Sequence, residues 1–132
     1  MRLCDKDIKK WILKKKLIIT PIPNINKICG ATVDIRLSNK FRIFKKSHNS
    51  IIDLKKSSKN IKYVLKQNIS DEICISHNKS FILKPKNFVL ALTMEKISMP
   101  NNLIGWLDGR SSLARLGLMI HMTSHSIDPG WN

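Results

Sequence analysis

Apolar spacing along the first residues predicts a helix. Across residues 4–15, Cys4, Ile8, Trp11, Ile12 and Lys15 share one face, while Lys6, Lys9, Lys10 and Lys14 lie largely away from it. Asp5 can cap this helix. After Leu17-Ile18-Ile19, two prolines hold residues 20–24 as an extended loop. The period then changes to two. Val33, Ile35 and Leu37 alternate with Asp34 and Arg36, and Phe41 and Ile43 flank Arg42, which predicts strand. Residues 45–60 are polar and lysine-rich and predict a loop or a poorly ordered insertion. Residues 61–66 fit helix and strand equally. Short strands are predicted at 73–75, 80–84, 88–94, 103–107 and 118–123, separated by Asn, Pro or Gly. Together these elements predict a mainly β fold, a sandwich or barrel, with an N-terminal α-helix attached. No repeat and no convincing boundary interrupts the chain, so residues 1–132 are expected to form a single domain.

Composition narrows the class. A hydrophobic content of 42% places the chain among globular proteins. No stretch is long and apolar enough to cross a bilayer, and the basic first helix is too short to favour a membrane surface over its own core. The N-terminus lacks the apolar run of a signal peptide. Cys4, Cys29 and Cys74 are odd in number and far apart, the usage expected of reduced thiols in the cytoplasm. A net charge of +15 invites a nucleic-acid reading. However, the lysines are scattered among Ile and Asn, with no aromatic residues interleaved as stacking platforms. A solvated surface from an AT-rich coding sequence is the simpler account, and no nucleic-acid partner is expected.

Candidate chemistry concentrates at residues 105–117. Gly105-Trp106-Leu107 predicts the end of a strand, and Asp108-Gly109 a turn. Ser111 or Ser112 can then cap a short helix that Gly117 ends. Such a helix start offers N–H groups and hydroxyls to an anion. Arg110 and Arg115 can add charge-assisted bonds to phosphate oxygens. On spacing alone, a surface turn with ordinary salt bridges fits as well. A Walker loop is excluded, because no Gly-Lys-Ser/Thr follows a spaced glycine. Residues 121–125 have the His spacing of a zinc-protease helix, but the required glutamate is Met122. On a strand His121 and His125 would still share a face, which leaves a metal pair open, but two structural or supporting histidines are the better expectation.

Four blocks together resemble bacterial dCTP deaminase, a relative of the trimeric dUTPases. They are Met1-Arg2-Leu3-Cys4-Asp5-Lys6-Asp7-Ile8, Gly30-Ala31-Thr32-Val33-Asp34-Ile35-Arg36-Leu37-Ser38-Asn39-Lys40-Phe41-Arg42, Gly105-Trp106-Leu107-Asp108-Gly109-Arg110-Ser111-Ser112-Leu113-Ala114-Arg115-Leu116-Gly117 and Ile127-Asp128-Pro129-Gly130-Trp131. The resemblance implies a distorted β-barrel, a homotrimer with sites between subunits, and hydrolysis of the 4-amino group of dCTP to dUTP and ammonia. It implies that residues 110–115 (Arg110, Ser111, Ser112, Leu113, Ala114 and Arg115) wrap the nucleotide, with Ser111 and Arg115 also acting near the reacting base. Asp128 would accept from a deoxyribose hydroxyl. Mg2+ would ride on the triphosphate. Zinc is not expected, because the His-x-Glu and Pro-Cys-x-x-Cys signatures of zinc deaminases do not occur.

The chain also departs from that family pattern. Ser124 and Ser126 stand where the family usually has Ala and Arg. The turn after Pro85 has lost its glycine, with Asn87 available for the left-handed conformation. The family's general-base glutamate would fall just beyond Asn132, so the barrel is expected to be C-terminally incomplete. The alternatives are therefore a non-catalytic remnant that at most binds nucleotide, and a bifunctional enzyme that continues to dUMP.

Overall fold

The computed structural model describes residues 2–45, 55, 61–122 and 124–132. Most of the predicted 45–60 loop lies outside them. The chain divides into two compact units, one built from Met1–Ile35 with Glu95–Asn132 and the other from Arg36–Met94. The described residues form a mainly β structure with an N-terminal helix. Their strands make three open sheets of two, three and two strands.

In the first unit, α1 (Asp5–Leu13) is the predicted amphipathic helix, trimmed at both ends. Cys4 occupies the N-cap position with no side-chain cap, so Asp5 is the first helical residue rather than the cap. Its carboxylate accepts instead from Lys9 at 3.2 Å, one turn on. That hydrogen bond holds the Asp5 carboxyl below its usual pKa. Ile8 and Ile12 are buried as the period requires, but Cys4 and Lys15 are exposed. Lys15 has already left the helix, with φ 54°.

β1 (Ile18–Thr20) and β5 (Lys96–Ser98) pair antiparallel, with Ile19 opposite Ile97. β1 stops where Pro21 offers no N–H. Ile8, Ile12, Leu17, Ile19, Ile28 and Met99 form the buried core, with Ile28 only 1% exposed. β6 (Gly105–Trp106) pairs antiparallel with β7 (Ser126–Ile127).

The second unit is organised around β2 (Leu37–Ile43), which lies between β3 (Ile73–Cys74) and β4 (Val89–Thr93). The strand predicted from Val33 starts only at Leu37. The Cys29–Thr32 bridge and the turn between them precede it, and residues 33–36 carry no ladder. The ambiguous stretch at 61–66 is helical, as α2 (Ile61–Asn68). The strand predicted at 80–84 is absent: these residues form no ladder, and Phe81 stacks on Phe41 with centroids 4.3 Å apart. In the turn closed by the Asn87 N–H to Lys84 C=O bond, Lys86 rather than Asn87 takes the positive φ of 63°. Pro85 suits the preceding position, which leaves Lys86 at the corner where φ must be positive. Lys40 meets Glu72 at 3.0 Å, and the hydrogen bond raises the lysine's pKa.

Candidate active site

Beyond Trp106, the Leu107 N–H donates to the His125 C=O at 2.7 Å and adds a rung to the β6–β7 ladder. Asp108 and Gly109 then lead into a single helical turn, α3 (Ser111–Ala114). Arg110 holds the N-cap position, and its carbonyl accepts from the Leu113 and Ala114 N–H groups at 2.9 and 3.0 Å. Neither serine caps this helix, contrary to the sequence expectation. Both lie past the cap, inside the turn, and no side chain caps it.

The end of α3 matches the expectation. The Leu118 N–H reaches the Leu113 C=O at 3.1 Å and the Gly117 N–H reaches the Ala114 C=O at 2.9 Å. This paired closure requires a left-handed residue, which Gly117 supplies at φ 84°. Gly117→Ala is expected to cost about 1–2 kcal/mol, seen as a lower urea midpoint at unchanged m-value. Gly109 serves a different purpose. A Cβ there would sit 2.8 Å from Ile120 Cγ1, so only glycine lets the 118–122 segment pack directly onto the turn. That segment is not the strand predicted at 118–123. The ladder partner of β6 lies further on, at β7.

Arg110, Ser111, Ser112, Leu113, Ala114 and Arg115 are all exposed and lie together on this one turn. Arg110 is already engaged: its Nη1 donates to Asp34 Oδ2 at 3.0 Å. Asp128 is exposed and follows β7. The register puts Gly105 opposite Ile127, so Asp128 leaves the ladder at the end away from α3. The structure therefore gathers residues 110–115 but does not bring Asp128 to them.

An open cleft of about 1040 Å3 lies within the first unit. Its walls include Asp34, Trp106, Asp108, Arg110 and His125, and its floor reaches the core at Met99. Ser111, Ser112, Arg115 and Asp128 are outside its lining. Trp106 and His125 stack with centroids 4.6 Å apart, and His121 continues the stack at 5.6 Å from His125. His121 Nε2 lies 3.5 Å from Asp108 Oδ1, and its buried Nδ1 has no hydrogen-bond partner among the described residues. The two imidazoles are tilted by only 23°. A histidine pair supporting a pocket fits this geometry. Sequence reasoning missed the Asp34 partner, although Asp34 sits inside one of the recognised blocks.

Among the described residues, no helix is long and apolar enough to cross a membrane. The family model for dCTP deaminase-like proteins matches residues 2–132. A protein of Buchnera aphidicola subsp. Baizongia pistaciae named dCTP deaminase is 58% identical over 131 residues, covering 99% of this chain and 68% of that protein. The dCTP deaminase of Wigglesworthia glossinidia brevipalpis is 55% identical, covering 100% of this chain and 69% of its own length. That of Pectobacterium atrosepticum is 50% identical over 99% of this chain and 68% of its own. A match of this extent, over the same residues that build the α3 turn and its ladder, shows that the chain belongs to the dCTP deaminase-like family.

Proposed function

We propose that the protein is a dCTP deaminase: water adds to C4 of the cytosine, the 4-amino group leaves as ammonia, and dUTP remains. The observation that carries this reading is the likeness to proteins of that name along essentially the whole chain. The α3 turn supports it, because two arginines and two serines are presented to solvent on one turn, suited to a polyanion.

Arg110, Ser112 and Arg115 hold the triphosphate, with Leu113 and Ala114 completing the wall. Ser111 and Arg115 donate where negative charge develops on the base as water adds. Asp128 accepts from the deoxyribose hydroxyl. The family resemblance implies a glutamate as the general base that takes the proton of the attacking water. Mg2+ is carried by the triphosphate oxygens. Mg2+ readily keeps phosphate and water ligands, so the triphosphate suits it. No step requires zinc.

The position of Asp128 at the far end of the ladder from α3 fits sites shared between copies, and the family resemblance makes those copies a homotrimer. The free thiols of Cys4, Cys29 and Cys74 support a cytoplasmic location. Purified intact protein given dCTP and Mg2+ is expected to release ammonia and accumulate dUTP, followed by chromatography of the nucleotides. Accumulation of dUMP would assign a bifunctional reaction instead, and unchanged dCTP would refute the reading.

A further inference from the structure

We infer that Asp34 is a positioning residue for Arg110, holding its guanidinium ready for the substrate's phosphates. The inference rests on the proposed function, but on a contact that the sequence resemblance does not supply. The Asp34 carboxylate takes one hydrogen bond from Arg110 Nη1 at 3.0 Å, across 76 residues of sequence. The two side chains are 59% and 67% exposed. A pair so open to water stabilises a fold very little. Its effect is on geometry: it restricts a long, flexible side chain to one direction.

The placement fits that role. Both residues line the same cleft, beside Trp106 and His125. A guanidinium has five N–H donors in a fixed plane, so a carboxylate on one edge leaves other donors open to a phosphate. An arginine already held along one edge has fewer rotors to freeze when the anion arrives. Arg110 also sits at the N-cap of α3, where its backbone is fixed by the Leu113 and Ala114 bonds. Asp34 fixes the other end of the residue. The nearby negative charge has a cost, since it lowers the local potential felt by the phosphates. The inference requires that the gain in orientation outweighs that cost.

The test compares the intact parent protein with Asp34→Asn, Asp34→Glu, Arg110→Ala and the Asp34→Asn/Arg110→Ala double variant. Steady-state deamination of dCTP is measured, and calorimetric binding of inorganic tripolyphosphate serves as a probe without base or sugar. Asp34→Asn is expected to raise KM about 3–5-fold and weaken tripolyphosphate by a similar factor, with kcat within about twofold. Asp34→Glu should recover most of the loss. In the Arg110→Ala background, Asp34→Asn should add nothing, because its effect passes through that arginine. An unchanged or lower KM for Asp34→Asn would overturn the inference, the lower value meaning that Asp34 competes with phosphate. Additive losses in the double variant would also overturn it. If the parent protein does not deaminate dCTP, the proposed function fails, while tripolyphosphate binding still decides the role of Asp34.

Discussion

Ser111→Ala is expected to lower kcat for dCTP deamination by about 10²–10³-fold while leaving KM within a few-fold. Addition of water to C4 shifts electron density onto the ring and its substituents, and that charge exists only as the transition state forms. A hydroxyl aimed at it therefore acts on kcat more than on ground-state binding. Ser111 is exposed on a one-turn helix whose ends are fixed by main-chain bonds. Removing its hydroxyl should leave the fold within about 0.5 kcal/mol of the parent. Ser112→Ala provides the contrast: as a phosphate contact, it should raise KM with little change in kcat. The decisive measurement is a kcat and KM determination for both variants, beside their urea midpoints. Turnover by Ser111→Ala within threefold of the parent would remove the serine from the chemistry.

The largest stability effect is expected at Ile28. It is the most deeply buried side chain described, and it belongs to the cluster that joins α1, β1 and Met99. Ile28→Ala deletes that packing and leaves a cavity, at a cost of about 2–5 kcal/mol. Against a typical total of about 5–15 kcal/mol, this is enough to populate unfolded chains at working temperature. Ile22→Ala is the control, since Ile22 is 69% exposed and should change stability by less than about 0.5 kcal/mol. Denaturant unfolding separates the two. A loss below 1 kcal/mol at Ile28 would mean that the site closes over the cavity, and that the cluster is not one packed core.

Parts of this architecture were legible because they are local. The 3.6-residue period of Ile8 and Ile12 locates α1, and alternation along Phe41 and Ile43 locates β2. β1 and β5 were not legible as a pair. Each has three residues, too few for periodicity, and their register depends on a partner remote in sequence. Apolar runs at 81–83 and 118–120 mimicked strands because hydrophobicity alone does not distinguish a ladder from an extended segment packed through its side chains. The Phe81–Phe41 stack is the second kind of structure. The same limit applies to the candidate site. Residues 110–115 form a contiguous motif and were legible as one. The Arg110–Asp34 bond and the Trp106–His125 stack depend on chain crossings that no local pattern encodes.

The discontinuity of the first unit bears on how the chain reaches its native state. Ile19 meets Ile97 only after the whole of residues 36–94 has been looped out. Closing such a loop costs entropy before its contacts repay it, although the cost grows only logarithmically with length. Topologies dominated by remote pairing fold on the slow side, in about milliseconds to seconds. The 36–94 unit closes a shorter loop, since its most remote pairing, Leu37 with Thr93, spans fewer residues than Ile19 with Ile97. It is therefore suited to form first and to shorten the effective distance between the two halves of the 1–35 and 95–132 core. Kinetically, pairing Leu37 with Thr93 draws residues 36 and 94 together, so that the 1–35 and 95–132 segments meet across a short effective loop.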